Sequence, residues 1–265
     1  MLKYSIETFN DARQSENKIH SDEMALRFGF KGALVAGVVV FGHMTYLPIK
    51  TGGRDWLTHN QAEVRFLNPA YDGEMLELTL EGNAACSDTK CLNPEGVLLA
   101  TLTTEQGTTG RDAKCNIPAA GKPVTREEIN WENLILDEPA PAYLWHADDE
   151  SNQKLVKQLR DDLDIYQGDE ACVHPFWMLR QCNSAFSRSF ILPAWLHVGS
   201  KIMFHQPLLV GQDIEVRMMP VKKWERKVHE FTTLYIAFMV NSELFVEVEH
   251  TSIFKIAQPS QEAAS

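Results

Sequence analysis

The chain lacks the segments that mark secreted and membrane-spanning proteins. Its first residues, MLKYSIETFN, do not have the basic-then-apolar order of a signal peptide. The most apolar stretch, residues 33–49, is shorter than the ~20 residues that a membrane-spanning helix requires. We therefore expect a cytoplasmic protein that neither crosses nor binds a membrane.

Cysteine is scarce, and its spacing fits neither a disulfide framework nor a zinc site. The five cysteines are Cys86, Cys91, Cys115, Cys172 and Cys182. An odd number without the paired spacing of zinc ligands is typical of reduced thiols in a cytosolic protein. The sequence also has no glycine-rich phosphate loop and no serine-histidine-aspartate order. We accordingly expect neither a bound metal nor a bound cofactor.

Positive charge is in short supply. The 265 residues include 25 lysines and arginines against 36 aspartates and glutamates, which gives a net charge of −11. Nucleic-acid binding draws mainly on a basic surface, so this class of partner is not expected. Hydrophobic residues make up 44% of the chain and charged residues 23%, as in ordinary globular proteins. The length fits one large domain or two small ones.

The chain contains an internal repeat. Residues 66–78 read FLNPAYDGEMLEL, and residues 204–216 read FHQPLLVGQDIEV. The phenylalanine, proline, glycine and glutamate of the first stretch recur in the second at a constant offset of 138 residues. Proline ends one strand and glycine allows the turn into the next, so the shared spacing has a structural cause. We predict two related units at 1–106 and 135–257, a linker at 107–134 and a tail at 258–265.

Both units show the same predicted order of elements. In the first, we expect strands at 3–9, 61–68, 74–83 and 96–105, a short helix at 22–28 with Asp22 as its N-cap, and a long apolar helix at 34–47 that stops at Pro48. In the second, we expect strands at 135–145, 197–206, 213–223, 229–240 and 244–256, helices at 152–165 and 175–187, and a hairpin turn at Asn241-Ser242.

A helix that is apolar all round must be covered on every side. An antiparallel sheet curved around each helix would cover it, and the two units could join edge to edge. This predicts an α+β protein with two antiparallel sheets.

A short polar motif precedes the first long helix. Residues 15–22 read SENKIHSD, and Gly37 follows where the apolar helix begins. The motif and the element order resemble those of the MaoC-like dehydratase family, a branch of the hot-dog fold that includes the (R)-specific enoyl-CoA hydratases. The family motif is D-x-N-P-x-H-x-D, which Asn17, His20 and Asp22 match. Ser15 stands in place of the catalytic aspartate, and Lys18 in place of the proline.

The resemblance implies water addition to carbon 3 of a trans-2-enoyl thioester, or its reversal. In the family the aspartate and the histidine hold the water, and the glycine N–H stabilises the thioester oxygen. We therefore expect catalytic roles for His20, Ser15, Asn17 and Gly37. Serine is not a base at neutral pH, so His20 would carry the proton alone, or Glu16 would replace the aspartate. Asp11 is a weaker candidate because of its place near the first strand.

The second unit has no equivalent motif, so one site per chain is expected. The resemblance implies an acyl-CoA or acyl-carrier thioester as partner, and a homodimer or higher homo-oligomer. Coenzyme A phosphates would meet either the basic run 222–227 or the set Lys50, Arg54 and Arg65. We expect structural roles for His174 and His197. Two other functions stay open: an acyl-CoA thioesterase, and an acyl-thioester-binding protein without catalysis.

Overall fold

A computed structural model describes residues 1–13, 15–107, 117 and 125–257. The predicted tail and most of the predicted linker lie outside these residues, so the proposed domain boundaries stay predictions.

The described residues of the first half form five strands and two α-helices. In chain order they are β1 (Leu2–Glu7), α1 (Asp22–Arg27), α2 (Gly37–Gly52), β2 (Asn60–Phe66), β3 (Met75–Gly82), β4 (Cys86–Leu92) and β5 (Leu98–Gln106). Strand β4 was not predicted. Its buried side chains are Ser87, Thr89 and Cys91, so its alternation is between small polar residues and charged ones, not between apolar and polar residues.

In the second half, the part of the chain that the structure describes forms seven strands, two of them only two residues long, and two α-helices. In chain order they are β6 (Glu127–Glu128), β7 (Tyr143–His146), α3 (Asp149–Leu159), α4 (Phe176–Ser189), β8 (Phe190–Ile191), β9 (Leu196–Phe204), β10 (Asp213–Arg226), β11 (His229–Val240) and β12 (Glu243–Lys255). The predicted hairpin turn is confirmed, because Asn241 and Ser242 both have a positive φ, of 48° and 66°.

Ten strands form one antiparallel sheet. The order is β1-β3-β4-β5-β2-β9-β12-β11-β10-β7, so β2 and β9 join the two halves edge to edge. The order reads the same from either edge when each strand is exchanged for its counterpart in the other half. At the centre Glu63 pairs with Lys201, and these positions differ by the 138-residue offset of the repeat. The two halves thus join edge to edge, as the sequence indicated, and the two expected sheets form one continuous sheet.

Helix α2 lies in the core and contacts β1, β3, β4 and β5 on one side and α3 and α4 on the other. Twelve consecutive residues, 38–49, are buried. Gly42 allows α3 to approach closely, since a Cβ at this position would lie 3.1 Å from Leu159 Cδ1. Helix α4 contacts β10 and β12. The described helices include none that is long and apolar enough to span a membrane.

Four predicted element boundaries are wrong. Helix α2 starts at Gly37 because Val35 N–H donates to Ala70 O at 2.9 Å, which holds the preceding residues extended. It continues past Pro48 to Gly52, and the Thr51 hydroxyl donates to Leu47 O near its end. The helix predicted at 152–165 ends at Leu159, where Arg160 adopts the left-handed conformation. The strand predicted at 135–145 is limited to β7.

The predicted helix-capping role of Asp22 is also wrong. Ser21 occupies the N-cap position of α1, and Asp22 is the first helical residue. The Asp22 carboxylate instead accepts a hydrogen bond from the Ala33 N–H at 2.8 Å. Asp22 therefore ties α1 to the segment that enters α2.

The buried His43 makes the folded protein less stable at low pH. Neither ring nitrogen of His43, in the middle of α2, has a hydrogen-bond partner among the described residues. Burial, with a smaller contribution from His174, lowers the pKa of His43 to about 3. In the unfolded chain this histidine takes up a proton near pH 6.5, whereas in the folded chain it stays neutral to much lower pH. Unfolding is therefore favoured as the pH falls below 6.5.

We predict that His43→Leu makes the stability less sensitive to acid. Between pH 4 and pH 6, the free energy of unfolding of the parent should fall by about 1.4 kcal/mol per pH unit more steeply than that of the variant. Urea denaturation at several pH values measures both slopes. Above pH 7 the slopes should coincide, because His43 is neutral in both states there. Equal slopes between pH 4 and pH 6 would contradict the prediction.

Candidate active site

Two adjoining chambers lie between the N-terminus of α2 and the second half of the chain. The first, of about 250 Å3, is lined mainly by apolar residues from the segment before α2, the β2–β3 loop and β9, and we call it the apolar chamber. The second, of about 180 Å3, lies against α4 and is called the polar chamber. Five residues line both chambers and form the neck between them: Asn17, His20, Ala36, Asn183 and Trp195.

A hydrogen bond to the backbone fixes the tautomer of His20 at the neck. Its Nδ1 lies 2.8 Å from Leu34 O, and a carbonyl only accepts, so Nδ1 carries the proton. In a neutral imidazole the other nitrogen, Nε2, then carries the lone pair, which accepts a hydrogen bond from the Asn17 amide. Nε2 lies 3.4 Å from the side-chain nitrogen of Asn17. His20 is therefore arranged to accept a proton at Nε2.

Asn17 joins the motif to the second half of the chain. Its amide nitrogen donates to Trp195 O at 3.0 Å, and its amide oxygen accepts from Trp195 N–H at 3.2 Å. This double contact fixes which end of the amide faces His20, because only the nitrogen end can donate to a carbonyl. Lys18 N–H also donates, to Pro193 O. The motif loop is thus bound directly to the segment before β9.

The surroundings of His20 keep its ring neutral. Burial lowers the pKa of His20, and Arg180 adds to this effect, while the Leu34 carbonyl and Asp11 oppose it. A lowered pKa leaves the base form dominant at neutral pH, as a general base requires.

Gly37 is the first residue of α2, and the N-cap residue Ala36 offers no side-chain cap. The N–H groups of Gly37 and Val38 have no hydrogen-bond partner among the described residues. Unpaired N–H groups at a helix N-terminus stabilise negative charge. A Cβ on Gly37 would lie 3.1 Å from the Phe66 ring, so glycine lets this ring pack against the helix. Gly37 lines the apolar chamber but is not part of the polar chamber wall.

The three predicted substitutes for the missing aspartate occupy different places. Ser15 lines the polar chamber, but its hydroxyl donates to Asn17 O at 3.2 Å. Glu16 forms an ion pair of 2.6 Å with Arg126, and its side chain is 70% exposed. Asp11 pairs with Arg180 at 3.4 Å. Among the residues described as lining either chamber, Glu16 is the one carboxylate, and its partner holds it towards solvent.

The second half contributes residues to the site that the sequence did not predict. Asn183 and Arg180 lie on α4, and Trp195 precedes β9; all three line the polar chamber. The side-chain oxygen of Asn183 is buried and has no partner among the described residues. No local pattern marks Asn183, because its role depends on how the halves pair.

Of the other candidate residues, one, His197, is among the residues described as lining the chambers. His174 is buried and contacts Asp161 at 3.3 Å, and His197 lines the apolar chamber while its Nε2 contacts Ser200 at 2.9 Å. Lys50, Arg54 and Arg65 are bonded to Tyr46, Glu170 and Glu63 respectively. Neither these three nor the 222–227 run is among the residues described as lining the two chambers. No group of metal-ligand side chains was found in the described parts of the chain.

Comparison with known proteins gives a match of fold. No protein-family model and no curated protein sequence matches the chain. A structure named as a MaoC domain dehydratase from Chloroflexus aurantiacus matches with a TM-score of 0.63 and 9% identity, over 97% of this chain and 96% of that chain. A Mycobacterium tuberculosis protein with a double hot-dog fold matches with a TM-score of 0.62 and 12% identity, over 96% of both chains.

Thioesterases occur among the similar structures as well. A protein named as an oleoyl thioesterase from Lactobacillus plantarum matches with a TM-score of 0.55 and 11% identity, over 97% of this chain and 98% of that chain. At such identities the likeness shows the fold alone. The chain has a hot-dog fold in its double form, which confirms the predicted resemblance to the MaoC-like dehydratases at the level of structure.

We predict that Asn17→Asp raises the pKa of His20. The carboxylate would replace the amide nitrogen that faces Nε2, and a nearby negative charge favours the protonated ring. Titration of the imidazole signals by NMR measures this, with His20→Gln used to assign the signal.

Asn68→Asp is the matched control, because Asn68 lines the same apolar chamber and donates to Leu98 O. It adds the same charge without the contact to the His20 ring, so its effect should be smaller. An unchanged His20 titration in Asn17→Asp would show that Asn17 does not face Nε2.

Proposed function

We propose that the protein is a hydro-lyase of the enoyl-CoA hydratase type, which adds water to carbon 3 of a trans-2-enoyl thioester or removes it. The observation that supports this most directly is the pairing of His20 Nε2, at the neck, with the unpaired N–H groups at the start of α2, where Gly37 lines the adjoining apolar chamber. A base and an oxyanion site on one substrate are what conjugate addition of water requires.

The thioester oxygen would accept from the Gly37 N–H, which places the thioester in the apolar chamber. A water would lie at the neck between His20 Nε2 and the amide oxygen of Asn183. His20 Nε2 takes one proton as the water oxygen bonds to carbon 3, and the electron pair of the double bond shifts towards the thioester oxygen. The resulting enolate then takes the proton from Nε2 at carbon 2. One histidine thus both removes and returns the proton, without the aspartate that Ser15 replaces.

An acyl-CoA thioesterase is the second candidate. It is favoured by the same observation that weakens the first: no free carboxylate lines the neck among the described residues. Water activated by His20 would then attack the thioester carbonyl carbon, and Gly37 would again stabilise the oxygen. The fold comparisons include proteins named for either activity. The proposed partner is a coenzyme A or acyl-carrier thioester; a homo-oligomeric state and a cytoplasmic location stay predictions.

The two activities separate in one assay with a trans-2-enoyl-CoA. Hydration removes the absorbance of the conjugated thioester without releasing a thiol, whereas hydrolysis releases free coenzyme A. We expect loss of absorbance only. We also expect His20→Gln to slow it by on the order of 10²–10⁴-fold, the usual share of one general acid–base group.

Folding must be tested alongside the His20 variant. Its melting temperature should stay within a few degrees of the parent, because glutamine also carries an N–H that can donate to Leu34 O. Full activity in a folded His20→Gln protein would exclude His20 as the base. Thiol release that depends on His20 would favour the thioesterase instead.

A further inference from the structure

The polar chamber contains a cation that the proposed reaction does not use. Arg180, Ser184 and Ser187 line this chamber from α4, at positions that lie on one face of the helix. Arg180 also lies close enough to influence the charge of the His20 ring. Arginine is a common partner of anions in protein binding sites.

Arg180 has few partners for a half-buried guanidinium. Its ion pair with Asp11, at 3.4 Å, is its one polar contact recorded in the described part of the chain. The other arginine ion pairs there measure 2.6–3.2 Å. A guanidinium carries five N–H donors, and burying donors without acceptors is unfavourable. Most of the donor capacity of Arg180 is therefore not used by the described residues and is open to water or to a ligand in the chamber.

The hydroxyl groups beside Arg180 are already engaged as donors. Ser184 donates to Arg180 O at 3.0 Å, and Ser187 donates to Ser184 O at 3.2 Å. Ser15 donates to Asn17 O. In this arrangement the donors that remain for an acceptor in the chamber are the Arg180 guanidinium and the Asn183 amide. The pair matches the two oxygens of a carboxylate.

The position of Gly37 orients the substrate. Because Gly37 lines only the apolar chamber, the thioester and the start of the pantetheine arm would lie there, with carbon 3 at the neck. The chain beyond carbon 3 would then enter the polar chamber. At about 180 Å3, this chamber suits a short group. The phosphates of coenzyme A, at the far end of the pantetheine arm, would not reach it.

We propose that the polar chamber binds a carboxylate carried by the acyl group beyond carbon 3, with Arg180 as its main partner. This inference rests on the proposed function, which supplies the direction of the substrate. It assigns as substrates short trans-2-enoyl thioesters that carry a second carboxylate.

The test compares two matched substrates: crotonyl-CoA and the analogue in which the carbon 4 methyl group is a carboxylate. The parent should show a kcat/KM at least ~10-fold higher for the carboxylate, since hydrogen bonds to charged groups have this strength. Arg180→Gln should reduce the ratio of the two values by on the order of 10- to 100-fold. Arg180→Lys should retain part of the preference, because it keeps the charge but not the planar fork.

Arg188→Gln is the matched control on the same helix. Arg188 lies over the Tyr143 ring, 4.4 Å from its centroid, and does not line the chamber. The ratio should be unchanged in this variant. A ratio near one in the parent would overturn the proposal. So would an equal loss for both substrates in Arg180→Gln with a lower melting temperature, since Arg180 would then only hold the Asp11 loop.

A binding experiment separates this proposal from the proposed reaction. Calorimetry with two unreactive thioethers, S-butyl-CoA and S-(3-carboxypropyl)-CoA, measures the carboxylate preference without turnover. If neither enoyl thioester is hydrated but the carboxylate thioether binds more tightly through Arg180, the reaction is wrong and the carboxylate site stands. If both enoyl thioesters are hydrated equally and both thioethers bind equally, the reaction stands and the carboxylate site is wrong.

Discussion

The pairing of β2 with β9 is the constraint on which the rest of the structure depends. It joins the two halves about the Glu63–Lys201 pair and makes one sheet of ten strands. Because β9 follows directly after the Trp195 segment, the same pairing brings that segment to the loop before α2. The Asn17 amide then forms both hydrogen bonds to the Trp195 backbone. The neck exists only when both halves are in place.

This arrangement divides the work between the halves. The first half supplies the groups that would react, His20 and the N–H of Gly37. The second half supplies the groups that orient and enclose them: Trp195 fixes the Asn17 amide, and Asn183 and Arg180 form the facing wall. A degenerate repeat can therefore lose the catalytic motif and still be needed for the site. The two chambers also differ in chemistry, because α4 of the second half contributes Arg180, Ser184 and Ser187 to the wall of the polar chamber alone.

The sequence predicted the parts of this structure that local pattern controls. The proline–glycine spacing of the repeat revealed the shared strand order, and the positive φ values at Asn241 and Ser242 follow from their turn chemistry. The motif marked Asn17, His20 and Gly37, which lie together at one chamber. Strand β4 was not predicted because its inward residues are small and polar. Asn183 and Arg180 were not predicted, because nothing near them in the chain shows which helix face meets the motif loop. That face depends on the register of β2 and β9.

A crystal structure with an unreactive thioether analogue of a 3-hydroxyacyl-CoA, in which a methylene separates the carbonyl from sulfur, tests the central claim most directly. The account predicts that the carbonyl oxygen accepts from the Gly37 N–H. It also predicts that the carbon 3 hydroxyl lies between His20 Nε2 and the Asn183 amide. A complex in which the carbonyl carbon, not carbon 3, faces His20 would contradict hydration. A ligand bound away from the neck would contradict the site itself.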